Sequence, residues 1–177
     1  MKSTKAASRY AKSLLELAIE QGKVDSILGD MNFLLQTNND NREFELLIAS
    51  PIIDGNKKME IFKKIFDQFE DVSMSFIGLI TKNGRENLLP QIAASFDSQV
   101  KEHKGIVPMT LVSAAPLDAS TKEAILAKVQ SSVKGKLEIE EKIDESLIGG
   151  FVVKMGDTQI DASVSSQFNN LKQRLTR

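Results

Sequence analysis

The apolar residues change their spacing once along this chain. As far as Gly105 they recur every three or four residues, the spacing of helices that bury one face; beyond it they alternate with polar ones, the spacing of strands. The first helix is expected over 4–21, where Ala7, Ala11, Leu14 and Ala18 form one stripe and Leu15 and Ile19 an adjoining one. Tyr10 and Leu17 widen that surface beyond what one contact needs, and Gly22 stops the helix. A second helix over 24–36 carries Val24, Ile27, Leu28, Met31, Leu34 and Leu35, and Asn38 to Asn41 reads as a polar loop. A short third helix points Phe44, Leu47 and Ile48 inward until Pro51 forces Ser50 out of helical geometry. Asp54 is placed to cap a fourth helix over 55–69 with Ile61, Phe62, Ile65, Phe66 and Phe69 inside. Asp71 is placed to cap a fifth over 72–83 with Val72, Phe76, Leu79 and Ile80 on its stripe, and Asn83-Gly84 ends it. Asn87 opens a sixth, with Pro90 in the first turn and Leu89, Ile92, Phe96 and Val100 in line, stopped by Gly105. Six helices on short loops predict an antiparallel bundle.

The remainder reads strand, helix, strand, strand, strand, helix. Val107, Met109, Leu111 and Ser113 share one face of the first strand, and Pro108 puts its start near a sheet edge. Pro116-Leu117-Asp118 turns the chain into a helix bearing Ile125, Leu126, Val129 and Val133, capped by Asp118 or by the Ser120/Glu123 pair. Leu137, Ile139, Glu141 and Ile143 alternate along the next strand. Phe151, Val153 and Met155 alternate with Val152 and Lys154, and Gly156-Asp157 is a two-residue turn leading to a last strand. Val164, Phe168, Leu171 and Leu175 then make one helical stripe. Gly149-Gly150 weakens a strand, so a bulge or close approach by another backbone must explain it. The expected fold is therefore mainly α: a six-helix bundle over 1–105 and a small α+β domain over 106–177.

Charge adds exclusions. With 23 basic and 24 acidic side chains the net charge is −1, and residues 1–105 and 106–177 are each close to neutral, which argues against a nucleic-acid binder. No apolar run is long enough for a membrane span, and Met1 to Ala6 lack a signal-peptide apolar region, so the cytoplasm is the expected compartment. Cysteine is absent, which removes disulfides and thiol chemistry.

Little chemistry remains. His103, the only histidine, falls near the end of the sixth helix, where a cation complements the helix terminus, and common zinc sites fail on ligand count. Gly149-Gly150 does not satisfy the phosphate-loop pattern. Asp157 suits the turn and Asp161 the cap of the last helix, rather than a catalytic carboxylate pair. Glu138, Glu140 and Glu141 read as a solvated strand face, with an acidic partner patch as the alternative. No cofactor, metal or catalytic residue is expected. What is left is apolar surface: Ala7, Ala11 and Ala18 on the first helix, and Ser75 and Gly78 on the fifth. Glycine within a helix costs about 1 kcal/mol relative to alanine, so a close backbone should compensate, either from the same bundle or from a partner.

The chain resembles a known family. Asp144, Ser146-Leu147-Ile148-Gly149-Gly150-Phe151, Lys154, Gly156-Asp157 and Ile160-Asp161-Ala162-Ser163-Val164 are similar to the C-terminal signature of the delta subunit of F-type ATP synthase, whose mitochondrial relative is the oligomycin-sensitivity-conferring protein. Ser8 to Ala18, Ser50-Pro51-Ile52-Ile53 followed by Lys57 or Lys58, Phe76 to Ile80, Asn83-Gly84-Arg85 and Ser113 to Leu117 also fit, in the family's order. The resemblance implies a non-catalytic stator subunit. Its helical domain would grip the N-terminal helices of alpha subunits, and its C-terminal domain the C-terminal region of the b subunit. It would lie peripherally at the cytoplasmic face of a bacterial membrane, attached only through the complex. Tyr10, Ala11 and Leu14 would line one wall of the groove for the alpha subunit, with Ser75, Phe76, Gly78 and Leu79 on the other. Asp144, Leu147, Gly149, Gly150, Gly156, Asp157 and Asp161 would form the structural signature. A general helical adaptor, or a small enzyme built on the glycine hairpin, stays as the alternative.

Overall fold

A computed structural model describes residues 4–130, 133, 135–156 and 158–175. Asp157 lies outside the described residues, as do the side chains of Leu171 and Leu175. The chain divides into two compact units, one ending at Val100 and the next beginning at Lys101.

The first unit is helical: α1 (Lys5–Glu20), α2 (Val24–Asp40), α3 (Arg42–Ala49), α4 (Gly55–Ile65), α5 (Asp71–Lys82) and α6 (Leu89–His103), whose residues from Lys101 on belong to the second unit, with a 3-10 turn at Glu86–Leu88 before α6. Thr4 caps α1 by accepting the Ala7 amide. The expected loop from Asn38 to Asn41 is not one. The helix continues to Asp40, because Asn41 alone makes the turn, accepting the Glu43 and Phe44 amides of α3 while its own amide reaches the Thr37 carbonyl. Asp54 caps α4 as expected, through the Asn56 amide. That helix stops at Ile65, four residues early, and leaves Ile61 and Ile65 exposed; Phe62 and Phe66 fill the core and Phe69 is half-buried. Asp71 caps nothing: it is the first residue of α5, whose capping residue Glu70 makes no side-chain cap bond.

Helical spacing delivers one continuous core, built from Ala7, Ala11, Leu14, Ala18, Ile27, Met31, Leu34, Phe44, Ile48 and residues of α4 to α6. Phe44 meets Phe62 and Phe66 edge-on at 5.9 and 5.6 Å, and Phe66 stacks on Phe69 at 4.4 Å. Lys58 lies in this core. It falls one turn before Phe62 on the buried face of α4, and its ammonium donates to the carbonyls of Ile48 and Ser50 and pairs with Glu86 at 2.5 Å. A buried ammonium with three acceptors is tolerated where an unpaired one is not.

The second unit holds β1 (Ile106–Ser113), α7 (Ala119–Gln130), β2 (Lys136–Ile143), a 3-10 turn at Glu145–Leu147, β3 (Phe151–Met155), β4 (Thr158–Asp161) and α8 (Val164–Leu175). The sheet order is β2-β1-β3-β4, with β1 parallel to β2 across the α7 connection and the other pairs antiparallel. Strand β1 is therefore central over residues 110–113, but its start is an edge, as Pro108 predicts: Pro108 pairs with Glu138 on one side only, and the β3 ladder begins at Thr110. Met109, Leu111 and Val153 pack with Ile125 and Val129 of α7. Val152, on the opposite face, is buried too, so β3 is not the half-solvated strand its alternation predicts. Asp118, not the Ser120/Glu123 pair, caps α7. It accepts from the Ser120 hydroxyl and the Thr121 amide, and these bonds, Ser120's foremost, draw its carboxyl down to about 2. Glu138, Glu140 and Glu141 are exposed and pair with Lys101, Lys142 and Lys122 respectively.

Candidate docking surfaces

The two walls expected for an alpha-binding groove do not survive as drawn. Ala11 and Leu14 are 0% and 1% exposed, and Phe76 is buried with them. They sit on the inner stripes of α1 and α5 and present nothing to an incoming helix. Of the seven residues, Tyr10 and Gly78 are half-exposed, Ser75 is exposed and Leu79 is 53% exposed. The stripe forms as expected, but it faces the core of the bundle rather than a groove. The outward side of α1 instead carries Arg9, Ser13 and Leu17 at four-residue spacing.

Gly78 also differs from expectation. A Cβ built there would meet only the end of the Met59 side chain at 3.5 Å, an ordinary contact, so no backbone crowds it. Tyr10 is tied down by Arg85, which follows α5. The guanidinium donates to the Tyr10 hydroxyl at 2.6 Å and lies over the ring, 5.8 Å from its centroid.

In the second unit the glycine pair has a clear cause. Gly150 has φ +76, and a Cβ there would overlap the Ala162 carbonyl oxygen; a Cβ at Gly149 would press on Val164 at 3.0 Å. The Val164 amide donates to the Gly149 carbonyl at 3.0 Å and the Ala162 amide to Phe151 at 2.9 Å. Of the two explanations the sequence left, close backbone approach is the one observed. The Gly-Gly segment is filled by the entry to α8 and leaves no space for a phosphate. Gly156, φ +53, opens the β3–β4 turn.

Asp161 and Ser163 share the capping of α8. Asp161 accepts from the Ser163 amide and the Ser166 hydroxyl, and Ser163 accepts the Ser166 amide. Asp144 accepts the Ser146 amide and hydroxyl at the 3-10 turn, where Leu147 is half-buried. Both carboxyls are held below the usual range, Asp161 chiefly by Ser166 and Asp144 chiefly by Ser146. Hydrogen bonds that reward the charged form depress a carboxyl in this way. His103 is exposed in the last turn of α6.

One feature of this unit has no signature in the sequence. Ile148 has φ +65 and is 75% exposed. Before Gly-Gly, isoleucine reads as an ordinary strand residue, yet it stands out with Val164, Phe168 and Ile160 as exposed apolar surface. No helix among the described residues is long and apolar enough to cross a membrane.

The sequence model described as "ATP synthase delta (OSCP) subunit" matches residues 6–175. The ATP synthase subunit delta of Cytophaga hutchinsonii is 36% identical over 177 residues, covering 99% of this chain and 97% of that protein. The subunit delta of Chlorobium phaeobacteroides is also 36% identical, over 99% and 97%, and that of Christiangramia forsetii 31% over 99% and 95%. A chain of the mitochondrial ATP synthase hexamer of Toxoplasma gondii has the same fold, with a TM-score of 0.75 at 21% identity over 98% of this chain and 99% of that one. The chain belongs to the ATP synthase delta (OSCP) subunit family, the peripheral-stalk subunits of the F-type enzyme. A general adaptor unrelated to ATP synthase is not favoured.

Proposed function

We propose that this chain is a non-catalytic clamp between the catalytic head and the peripheral stalk of a bacterial F-type ATP synthase. The helical domain, 1–105, binds N-terminal helices of alpha subunits, and the α+β domain, 106–177, binds the C-terminal region of the b subunit. The complex holds it peripherally at the cytoplasmic face of the membrane. The head is then kept from turning with the rotor, so proton flow drives ATP synthesis.

The observation that carries this reading is the span of the family match, which runs through both units rather than one. A clamp needs two docking surfaces. Leu17 and Leu79 supply exposed apolar side chains in the first unit, and Ile148, Val164 and Phe168 supply them in the second. Amphipathic helices are recognised by surfaces of this kind.

The test begins with inverted membrane vesicles stripped of this chain. Adding the purified protein back should restore tight attachment of the catalytic head and ATP-driven proton pumping. Each fragment, 1–105 or 106–177, should bind one side and restore neither. Full pumping without the protein, or restoration by a single fragment, would sink the clamp.

A further inference from the structure

Beside the first turns of α1 is a cleft of about 180 Å³ lined by Ala6, Arg9, Tyr10, Ser13 and Arg85. It contains two guanidiniums, and neither has a carboxylate partner among the described residues. Arg85 is held in place by the Tyr10 hydroxyl and ring, so its planar fork is set before anything arrives. A pre-organised guanidinium loses little freedom on pairing and matches a carboxylate through two parallel bonds. The Tyr10 hydroxyl accepts from Arg85, which leaves its own proton to donate. Ser13 contributes less, because its hydroxyl donates back to the Arg9 carbonyl at 3.2 Å.

Size and surroundings narrow the ligand. Small-molecule and cofactor sites run to roughly 300–1,000 Å³, and this cleft is smaller. It suits one acidic side chain. Leu17 is exposed one turn beyond Ser13 on the same line of α1, so an apolar contact lies beside the anion site.

We infer that Arg9, Arg85 and Tyr10 form an anion site that selects the partner of α1: it takes an Asp or Glu side chain of an amphipathic helix whose apolar face covers Leu17. This rests on the proposed reading that α1 receives a helix of the alpha subunit, and adds what distinguishes that helix from any other apolar one.

The test titrates the full chain with a synthetic peptide of the N-terminal segment of the alpha subunit from the same complex. A parallel set of peptides has each Asp or Glu changed to its amide. Arg85→Gln is expected to weaken the parent peptide at least tenfold. One amide peptide should lose as much against the unaltered chain, and that peptide should be nearly indifferent to Arg85→Gln. Arg9→Gln, at an exposed position, should weaken the parent peptide severalfold and serves if Arg85→Gln does not fold. Full affinity in both arginine variants, or additive losses for every amide peptide, overturns the site while the α1 reading stands. Failure of the unaltered chain to bind the parent peptide overturns both. Competition by inorganic phosphate as complete as competition by excess peptide would make the occupant a free anion and overturn the peptide assignment.

Discussion

The carbonyl oxygen of Ala162 occupies the space that a side chain on Gly150 would need. Together with the hydrogen bonds from Val164 to Gly149 and from Ala162 to Phe151, this close approach holds the entry to α8 against the segment that follows the 3-10 turn. Gly150→Val should destabilise the second unit by the left-handed conformation, about 1–3 kcal/mol, and by the overlap, about 1–3 kcal/mol more. Calorimetry of the full chain should show the transition of the second unit lowered or lost while the first is unmoved. An unchanged melt would mean that the backbones do not lie this close.

Ala11→Asp should unfold the helical unit rather than spoil a docking surface. Ala11 is fully buried, and an uncompensated buried charge costs about 3–5 kcal/mol. Leu17→Asp, on the exposed side of the same helix, should change stability by no more than about 0.5 kcal/mol. It should still weaken an alpha N-terminal peptide by more than about 1.4 kcal/mol, a tenfold loss. Circular dichroism melts beside a titration separate the two outcomes; a stable Ala11→Asp variant contradicts the core placement.

Lys58 and Glu86 should behave as a coupled pair. Lys58→Met strands Glu86, whose side chain is 13% exposed, and should cost about 3–5 kcal/mol in urea denaturation. Adding Glu86→Leu should recover much of that loss. Two independent, additive costs would show that the pair is not coupled in the folded state.

Ile148→Gly should separate stability from binding. A left-handed residue other than glycine costs roughly 1–2 kcal/mol, and the exposed side chain returns little of it. The variant should therefore melt higher while binding the C-terminal region of the b subunit more weakly. If binding is untouched, Ile148 is no part of that surface.

Acid should open the second unit first. Asp118, Asp144 and Asp161, all in that unit, have folded-state carboxyls held below their ordinary values. A depressed carboxyl contributes stability above its unfolded pKa, about 3.9. That contribution is lost as pH falls through the folded value, about 2 for Asp118. Between pH 4 and about 2 the second transition should fall relative to the first, and Asp118→Asn should flatten the decline. Transitions that fall in parallel would argue against these caps as the cause.

The order of elements was legible in the sequence because helix and strand spacing are local. Leu89, Ile92, Phe96 and Val100 read as one buried line of α6 and are one. The Gly156 turn and the Asp54 cap follow from the chemistry of single residues. The family was legible too, since its motifs are contiguous. Three-dimensional packing decided the rest. Spacing marks an apolar stripe but not which of two adjoining stripes faces the core, so Ala11 and Leu14 were expected on a surface they do not reach. Pairing determined that β1 is central, because a strand's neighbours come from distant segments. Arg85 meets Tyr10 across 75 residues of chain. Lys58 is buried because two carbonyls and a carboxylate converge on it from outside its own helix, and no local pattern announces where another segment will place its acceptors.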